Sequence, residues 1–442
     1  MNSTKIKLAI VDIDGILRGK FVSKNKFNKI KENDNKVGFC SVIFGWDCAD
    51  KCYNNVSLTG WHTGYHDIIT KIDLNSCRYI PMDSTSFYFL DYSSKQMCCP
   101  RSLLKNVIQQ VKSHGFTPMC ALEYEWFNFI KSEEWKDIKP ASVGNFGYSL
   151  IRLHDNKKYV DTILDTMIDM RIPIECIHCE SGPGAFEAAL EYCGALEMAD
   201  RSVLFKYGVK NIAKQFGYFA TFMAKWRPNV PGAGGHLHQS LWKDGKNIFT
   251  MSEGEMSEGE MSEGEMSETM SQYLAGQLYC LPYILPMYAP NINSYKRLVD
   301  GYWAPTRVGW GLENRTTTHR VIRGGENSTR IECRVAGADA NPYLVIAAAL
   351  ASGLYGIKNK LKLKDATIGN AYADNKLKVL PNNLYEATYK MKKSKIPAEL
   401  FGKEFVEHFT NTRLCEFNEF NKKVTEWEVQ RYFEIIYFNI SH

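Results

Sequence analysis

The sequence lacks any block of lysine and arginine interleaved with aromatics, and its net charge is only +5 over 442 residues. A nucleic-acid-binding surface is therefore not expected. It also lacks a membrane-spanning stretch. The most apolar run, NPYLVIAAALASGLYGI, is interrupted near its start by Pro342 and falls short of the roughly 20 residues that a spanning helix needs. The opening MNSTKIKLAIVDIDG has no apolar segment followed by a small-residue cleavage site. A secreted disulfide framework is missing too: the 13 cysteines are odd in number and scattered. One CxxC pair, Cys176 and Cys179 in CIHC, has no matching second knuckle in Cys98-Cys99 or Cys48/Cys52, so a structural zinc is not expected. These absences predict a cytoplasmic protein with reduced thiols, no nucleic acid and no membrane partner.

What is present is an ordinary globular mixture, 45% hydrophobic and 23% charged, with ample material for a core. Residues 1–97 read as short strands. Asp14-Gly15 sits between two alternating runs in KLAIVDIDGILRGKFV, a hairpin signal. A boundary is expected at 97/98. Beyond it, Pro100 and Ser102 precede a helical repeat of Leu103, Leu104, Val107, Ile108 and Val111 that stops at Gly115. From there to residue 442 strands and helices alternate, with helices expected over 158–170 and 194–216 and a mostly helical segment from 380 to 440. Residues 251–270 repeat MSEGE and end in MSETM. So acidic and Gly-rich a stretch reads as a surface loop.

Chemistry gathers in four short segments. In ALEYEWF, Glu123 and Glu125 alternate with apolar residues, so on a strand both point to one face. Like charges there are costly to desolvate: either the face is solvated or a cation neutralises both. In CIHCESGPGAFEAAL, Glu180 and Glu187 flank a Gly-Pro-Gly turn that can bring them together. In PGAGGHLHQSLW, His236 and His238 share a strand face, and in RIECR so do Arg330, Glu332 and Arg334. Carboxylates with an imidazole suit hard divalent ions such as magnesium or manganese. Arg297, Arg315 and Arg320 add guanidinium forks for carboxylates and phosphates. Metals beside an arginine cluster are the recurring equipment of phosphoryl transfer.

The segments LEYEWF, ESGPGAFE, ATFMAKW, GGHLHQSLW, NSYKRLVDGYWAP, ENRTTTHRV and RIECRVAGADANPYLVIAAAL occur in an order and spacing that resembles the glutamine synthetase family over nearly the whole chain. The FGWD, TGWHTGY and GADANPYL stretches look more like its γ-glutamylpolyamine synthetase-like branch. The resemblance implies an α+β fold: a small N-terminal β-grasp domain, then a large catalytic domain whose curved antiparallel sheet is flanked by helices. It implies one metal on Glu125, Glu180 and Glu187 and a second on Glu123, His236 and Glu332, hence two or more magnesium or manganese ions per site. Arg297, Arg334 and the Gly232 backbone would surround glutamate. Arg315 would lie near the transferred phosphoryl group, and His238, Ser240, Arg320 and Arg330 would face ATP. Sites of this family form between neighbouring subunits of stacked rings, so a homo-oligomer, by resemblance a dodecamer, is expected. Its N-terminal Asp47 or Asp50 would approach a neighbour's amine site.

The implied activity is an ATP-dependent ligase that joins the γ-carboxylate of glutamate to an amine through a γ-glutamyl phosphate. In ammonia-using relatives a glutamate stands where this chain has Trp303 in GYWAP, and Gln often stands where it has Ala185 after the Gly-Pro-Gly turn. The tryptophan points to an alkylamine or polyamine rather than ammonia. Alternatives are a plain glutamine synthetase and a non-catalytic assembly protein on the same fold; all six implied metal ligands are present, which weighs against the latter. VDIDG also resembles the DxDG of haloacid-dehalogenase-type phosphatases, but its hairpin setting argues against that chemistry.

Overall fold

Alternation of buried and half-buried residues along one long strand organises the molecule. The computed structural model describes residues 4–92, 98–132, 134, 137–250, 266–325 and 327–433. The boundary expected at 97/98 adjoins residues 93–97, outside that set. The repeats of 251–265 and residues 434–442 of the C-terminal segment are outside it too.

The N-terminal sheet comprises β1 (Lys5–Val11), β2 (Leu17–Ser23), β3 (Lys36–Cys40), β4 (Asp67–Ile72), β5 (Arg78–Ile80) and β6 (Thr85–Asp91), in the order β2-β1-β6-β4-β3 with β5 beside β6. Strands β1 and β2 form the expected hairpin, with Gly15 at φ +83° in its turn. Within it, Asp12 Oδ1 accepts from the Asp14 and Ile16 amides and Oδ2 from Arg18 Nε, while Asp14 pairs with Arg413 at 2.7 Å. The DxDG carboxylates are thus committed to the turn and its neighbours. A helix, Lys24–Glu32, packs Phe27 and Ile30 on this sheet, giving the grasp-like arrangement.

The larger sheet contains β7 (Thr117–Ile130), β8 (Lys139–Pro140), β9 (Ile174–Cys179), β10 (Ala185–Leu190), β11 (Cys193–Gly194), β12 (Tyr218–Thr221), β13 (Gly235–Lys243), β14 (Lys246–Asn247), β16 (Trp310–Leu312), β17 (His319–Ile322) and β18 (Arg330–Cys333), with the two-residue β15 (Arg307–Val308) outside it. Its main path runs β16-β17-β18-β13-β7-β10-β9, antiparallel except for the parallel β16/β17 pair. Along β7, Leu122, Tyr124 and Trp126 are buried while Glu123 and Glu125 face the other way. Tyr124 and Trp126 pack on Phe205 of the helix Ala195–Gln215 and on Phe222. Each such buried aromatic contributes about 1.5–3 kcal/mol and locks which face of β7 carries the acids.

The expected helices are seen at Pro100–Ser113, Lys157–Asp169 and Ala195–Gln215. The apolar run of the sequence forms a helix, Pro342–Lys358, buried on nearly all sides, as a core helix that is apolar all round must be. Pro342 stands at its start, where a missing N–H costs nothing, and Asn341 caps it by accepting from the Tyr343 amide. The same Asn341 donates to the Asp12 and Ile13 carbonyls, joining the N-terminal hairpin to the core of the larger part. One expectation needs correction: the loop reading of 251–270 runs too far. Ser267 caps a helix, Glu268–Ile284, through the Met270 amide, because an apolar run follows the last repeat and lets these residues bury Met270, Tyr273 and Leu274. Among the described residues no helix is long and apolar enough to cross a membrane.

Candidate active site

Strand register builds the site. Glu123 lies opposite His236, His238 opposite Glu332, and Glu125 opposite Glu187, which in turn lies opposite His178. Side chains at directly opposed positions share a face, so five strands present acids and imidazoles to one surface.

Two groups of possible metal ligands result: Glu123, His236 and Glu332, and His178, Glu180 and Glu187, each with ligand atoms within 4.8 Å of one another. In the first, Glu123 Oε2 and Glu332 Oε1 both lie 3.6 Å from His236 Nδ1. Arg297 Nη2 lies 3.4 Å from His236 Nε2, and Nδ1 is the atom turned to the carboxylates. A nitrogen between two carboxylates fits a divalent cation. Burial would raise the Glu332 carboxyl, but Arg334, His238 and His236 outweigh it and hold it at about 2. The same contest leaves Glu123 well below the ordinary range, with His238 and His236 overcoming its desolvation. Both are ionised, as ligands must be.

The second group forms at the Gly-Pro-Gly turn. Gly184, at φ +72°, has Asn128 O only 2.3 Å from where a Cβ would stand, so the turn folds tightly against β7. Glu180 N donates to Ala185 O across it. Glu125, implied as a ligand here, stands beside Glu187 in register but outside both groups: its Oε2 accepts the Gly234 amide at 2.7 Å and its Oε1 is 4.0 Å from His236 Nε2. A Cβ on Gly234 would lie 2.5 Å from His236 Nε2 and 3.0 Å from Glu125 Oε1, which is why glycine is needed there. Burial raises the Glu125 carboxyl above its usual range, against the pull of His236.

The arginines surround these groups. Arg297 is 3% exposed and donates to the Val335 and Arg334 carbonyls. Its Cγ lies 2.7 Å from a Cβ position on Gly232. Arg334 pairs with Glu332 and donates from Nε to Arg315 O; Arg320 pairs with Glu332 at 3.1 Å and also with Glu313. Arg330 Nε donates to His238 Nδ1 at 3.0 Å, leaving His238 Nε2 to face Glu123 Oε1 at 3.0 Å. Ser240 Oγ accepts from Trp242 Nε1, and Arg315 is exposed. Trp303 is 61% exposed at φ +59°, its carbonyl 3.4 Å from Arg334 Nη2. Asp47 and Asp50 are placed elsewhere, by the N-terminal hairpin: Asp47 accepts the Ala49 and Lys51 amides and Asp50 pairs with Arg18.

The sequence reading passed over His178. It lies two residues before Glu180, the same alternation that picks out Glu123 and Glu125, but the flanking cysteines drew attention to a CxxC. On β9 those thiols diverge, Cys176 exposed and Cys179 buried, and all thirteen cysteines are free. His178 stacks on Tyr148, with centroids 4.4 Å apart. Burial lowers its basicity, but Glu187, the Cys179 carbonyl and Glu180 lift it to about 8.

Residues 97–432 match the catalytic domain of glutamine synthetase. The chain is 45% identical to type-1 glutamine synthetase 2 of Dictyostelium discoideum, over 98% of this chain and 84% of that protein. It is 35% identical to a glutamate–isopropylamine ligase of Pseudomonas (98% and 96%) and 33% identical to a γ-glutamylethanolamide synthetase of Streptomyces coelicolor (97% and 92%). The solved structure of GmaS with ADP superposes with a TM-score of 0.84 at 26% identity, over 97% of this chain and 96% of that one. The catalytic-domain match and the ligases among these relatives define a carbon–nitrogen ligase. The chain belongs to the glutamine synthetase family, and amine-using γ-glutamyl ligases stand among its relatives, in keeping with the branch that its motifs resemble.

Proposed function

We propose that the protein joins the γ-carboxylate of glutamate to a primary alkylamine or polyamine at the expense of ATP, through a γ-glutamyl phosphate. The observation that carries this reading is the convergence of two carboxylate–imidazole clusters on one sheet face beside Arg297, Arg320 and Arg334. Magnesium or manganese, when bound there, would offset the charge between a carboxylate and a triphosphate. Glu123, His236 and Glu332 would hold the ion on the nucleotide side, and Glu180 and Glu187, with Glu125 beside them, the ion on the amino-acid side. Arg297, Arg334 and the Gly232 backbone would seat glutamate, and His238, Ser240, Arg320 and Arg330 would orient ATP. Arg315, exposed at the rim, would reach the phosphoryl group in transfer. A γ-carboxylate is a poor acyl donor because oxide is a poor leaving group; phosphorylation supplies a good one, and the amine displaces it.

The choice of amine rests on Trp303. Resemblance places a carboxylate there in ammonia users, and an indole offers an alkylammonium ion cation–π and apolar contact worth about 0.5–2 kcal/mol. Small, strongly hydrated ammonium gains less. Trp303→Glu is therefore expected to shift the ratio of kcat/KM for putrescine, ethanolamine or methylamine over ammonium by roughly two- to thirtyfold towards ammonium. A wild-type protein that prefers ammonium to every amine tested would leave the plain glutamine synthetase reading in its place.

We further propose a cytoplasmic stacked-ring homo-oligomer in which the loop bearing Asp47 and Asp50 reaches a neighbour's site. The isolated bridge between Trp46 and Cys52 closes that loop, and the Arg18–Asp50 pair anchors it. Light scattering is expected to show a large assembly at assay concentration; a fully active monomer excludes a shared site.

A further inference from the structure

His178 is fixed on two sides. Its ring stacks on Tyr148 at 28°, and its Nδ1 lies 3.1 Å from the Cys179 carbonyl. A carbonyl only accepts, so Nδ1 carries the proton. In the neutral ring Nε2 is then a bare lone pair, and it faces Glu187 Oε1 at 3.4 Å. Such a pair is bridged either by a second proton on Nε2, in keeping with the lift that Glu187 gives the ring's basicity, or by a metal cation. The separation is close to the roughly 3.0 Å expected for neighbouring ligands on an octahedral ion with bonds of about 2.1 Å. An imidazole whose far nitrogen donates to a carbonyl is the usual setting of a metal-bound histidine. Glu180 completes the group, whereas Glu125 spends one oxygen on the Gly234 amide.

Resting on the metal-dependent reading above, we infer that His178 Nε2 is a direct ligand of the cation held by Glu180 and Glu187, so that each of the two cation positions carries one imidazole. An added nitrogen favours manganese or cobalt over magnesium, which prefers an all-oxygen shell.

The test uses the full chain with Mn2+ and no nucleotide. Bound ions are counted by the loss of the free-Mn2+ signal, and nitrogen ligation is read by pulsed EPR from 14N modulation. Wild-type protein is expected to bind two ions with 14N modulation. His236→Gln is expected to keep 14N modulation from the remaining site, and His178→Gln/His236→Gln to lose it. If His236→Gln binds Mn2+ without 14N modulation, the His178 imidazole is only a protonated partner of Glu187 and the inference is wrong. Binding of no Mn2+ by the wild type overturns the metal-dependent reading itself. A second variant guards against misfolding of the first: His178→Asp replaces nitrogen by oxygen and is expected to shift the Mn2+/Mg2+ affinity ratio towards Mg2+. An unchanged ratio counts against the ligand role.

Discussion

Glu187→Gln is expected to lower kcat/KM for amide formation on the order of a thousandfold, without lowering the melting temperature of the metal-free protein. The rate loss follows from the site's charge balance. Glu187 lies between Glu125 and His178 in register and belongs to the ligand group with Glu180. A neutral amide weakens the cation's hold where charge must be offset, and a loss of about 4 kcal/mol in transition-state stabilisation corresponds to about a thousandfold. The stability half has the opposite origin. Without metal, Glu187 and Glu125 repel each other; the Coulomb effect of Glu187 helps to raise the Glu125 carboxyl, after burial. Glutamine removes that repulsion, which offsets the weakened contact with His178. Magnesium should stabilise the wild type by mass action and the variant much less. Thermal melts with and without magnesium, beside steady-state rates, check both halves. Full activity at saturating magnesium would remove Glu187 from the ligand set.

Arg101→Met is expected to cost about 3–5 kcal/mol of stability, the largest effect we foresee outside the active site. Arg101 is 1% exposed. Its Nε and Nη2 donate to Asp200 at 2.9 and 2.8 Å, its Nη1 to Asp91 at 2.6 Å and its Nη2 to Asp73 at 2.9 Å. Tyr343 also donates to Asp200. One guanidinium thus links the end of β6 and the start of a turn in the N-terminal sheet to a core helix of the catalytic part. Methionine fills the volume but takes the guanidinium from three carboxylates, leaving Asp73 and Asp91 with Lys105 and Asp200 with the Tyr343 hydroxyl. The pH dependence has a definite sign. Burial alone would raise Asp73, but Arg101 and Lys105 hold it below the usual carboxylate value. Its contribution to stability is therefore present above the unfolded value of about 4 and is lost as pH falls through the depressed folded one. In the variant the three acids gain by protonation, so the gap between variant and wild type should narrow as pH falls. Urea unfolding at pH 7 and pH 4 measures it. A cost below 1 kcal/mol at pH 7, or a gap that widens in acid, rejects this account.

Much of the site could be read from residue order. Period-two alternation in ALEYEWF places Glu123 and Glu125 on one face, and Asp14-Gly15 marks a turn because glycine there accepts a positive φ. Both are local rules. What escaped depends on partners far along the chain. The Arg101 network joins residues 73, 91, 101 and 200, and nothing near Arg101 announces it. Which strands lie side by side is equally invisible in a single chain: β13 is inserted between β7 and β18, and only that order lets Glu123 meet Glu332 at His236. The helix start at Glu268 was hidden for another reason. Each pentad offers a serine that could cap, and only the apolar residues after the last one select Ser267.

The candidate metal ligands, apart from Glu180 at the turn after β9, stand on strands in fixed register, whereas Trp303 and Tyr148 stand off the strands, on connecting segments. A one-residue slip in any of the five strands would turn its acids into the core, so the acyl-activating array tolerates little change. The connecting segments carry no such constraint. Selection can therefore exchange residues on these segments, among them Trp303, which we propose meets the amine, while the strand-borne array stays as it is. A lineage of this architecture can move between nitrogen sources by altering a few loop positions, and its members are expected to differ far more in the amine they accept than in how they activate glutamate.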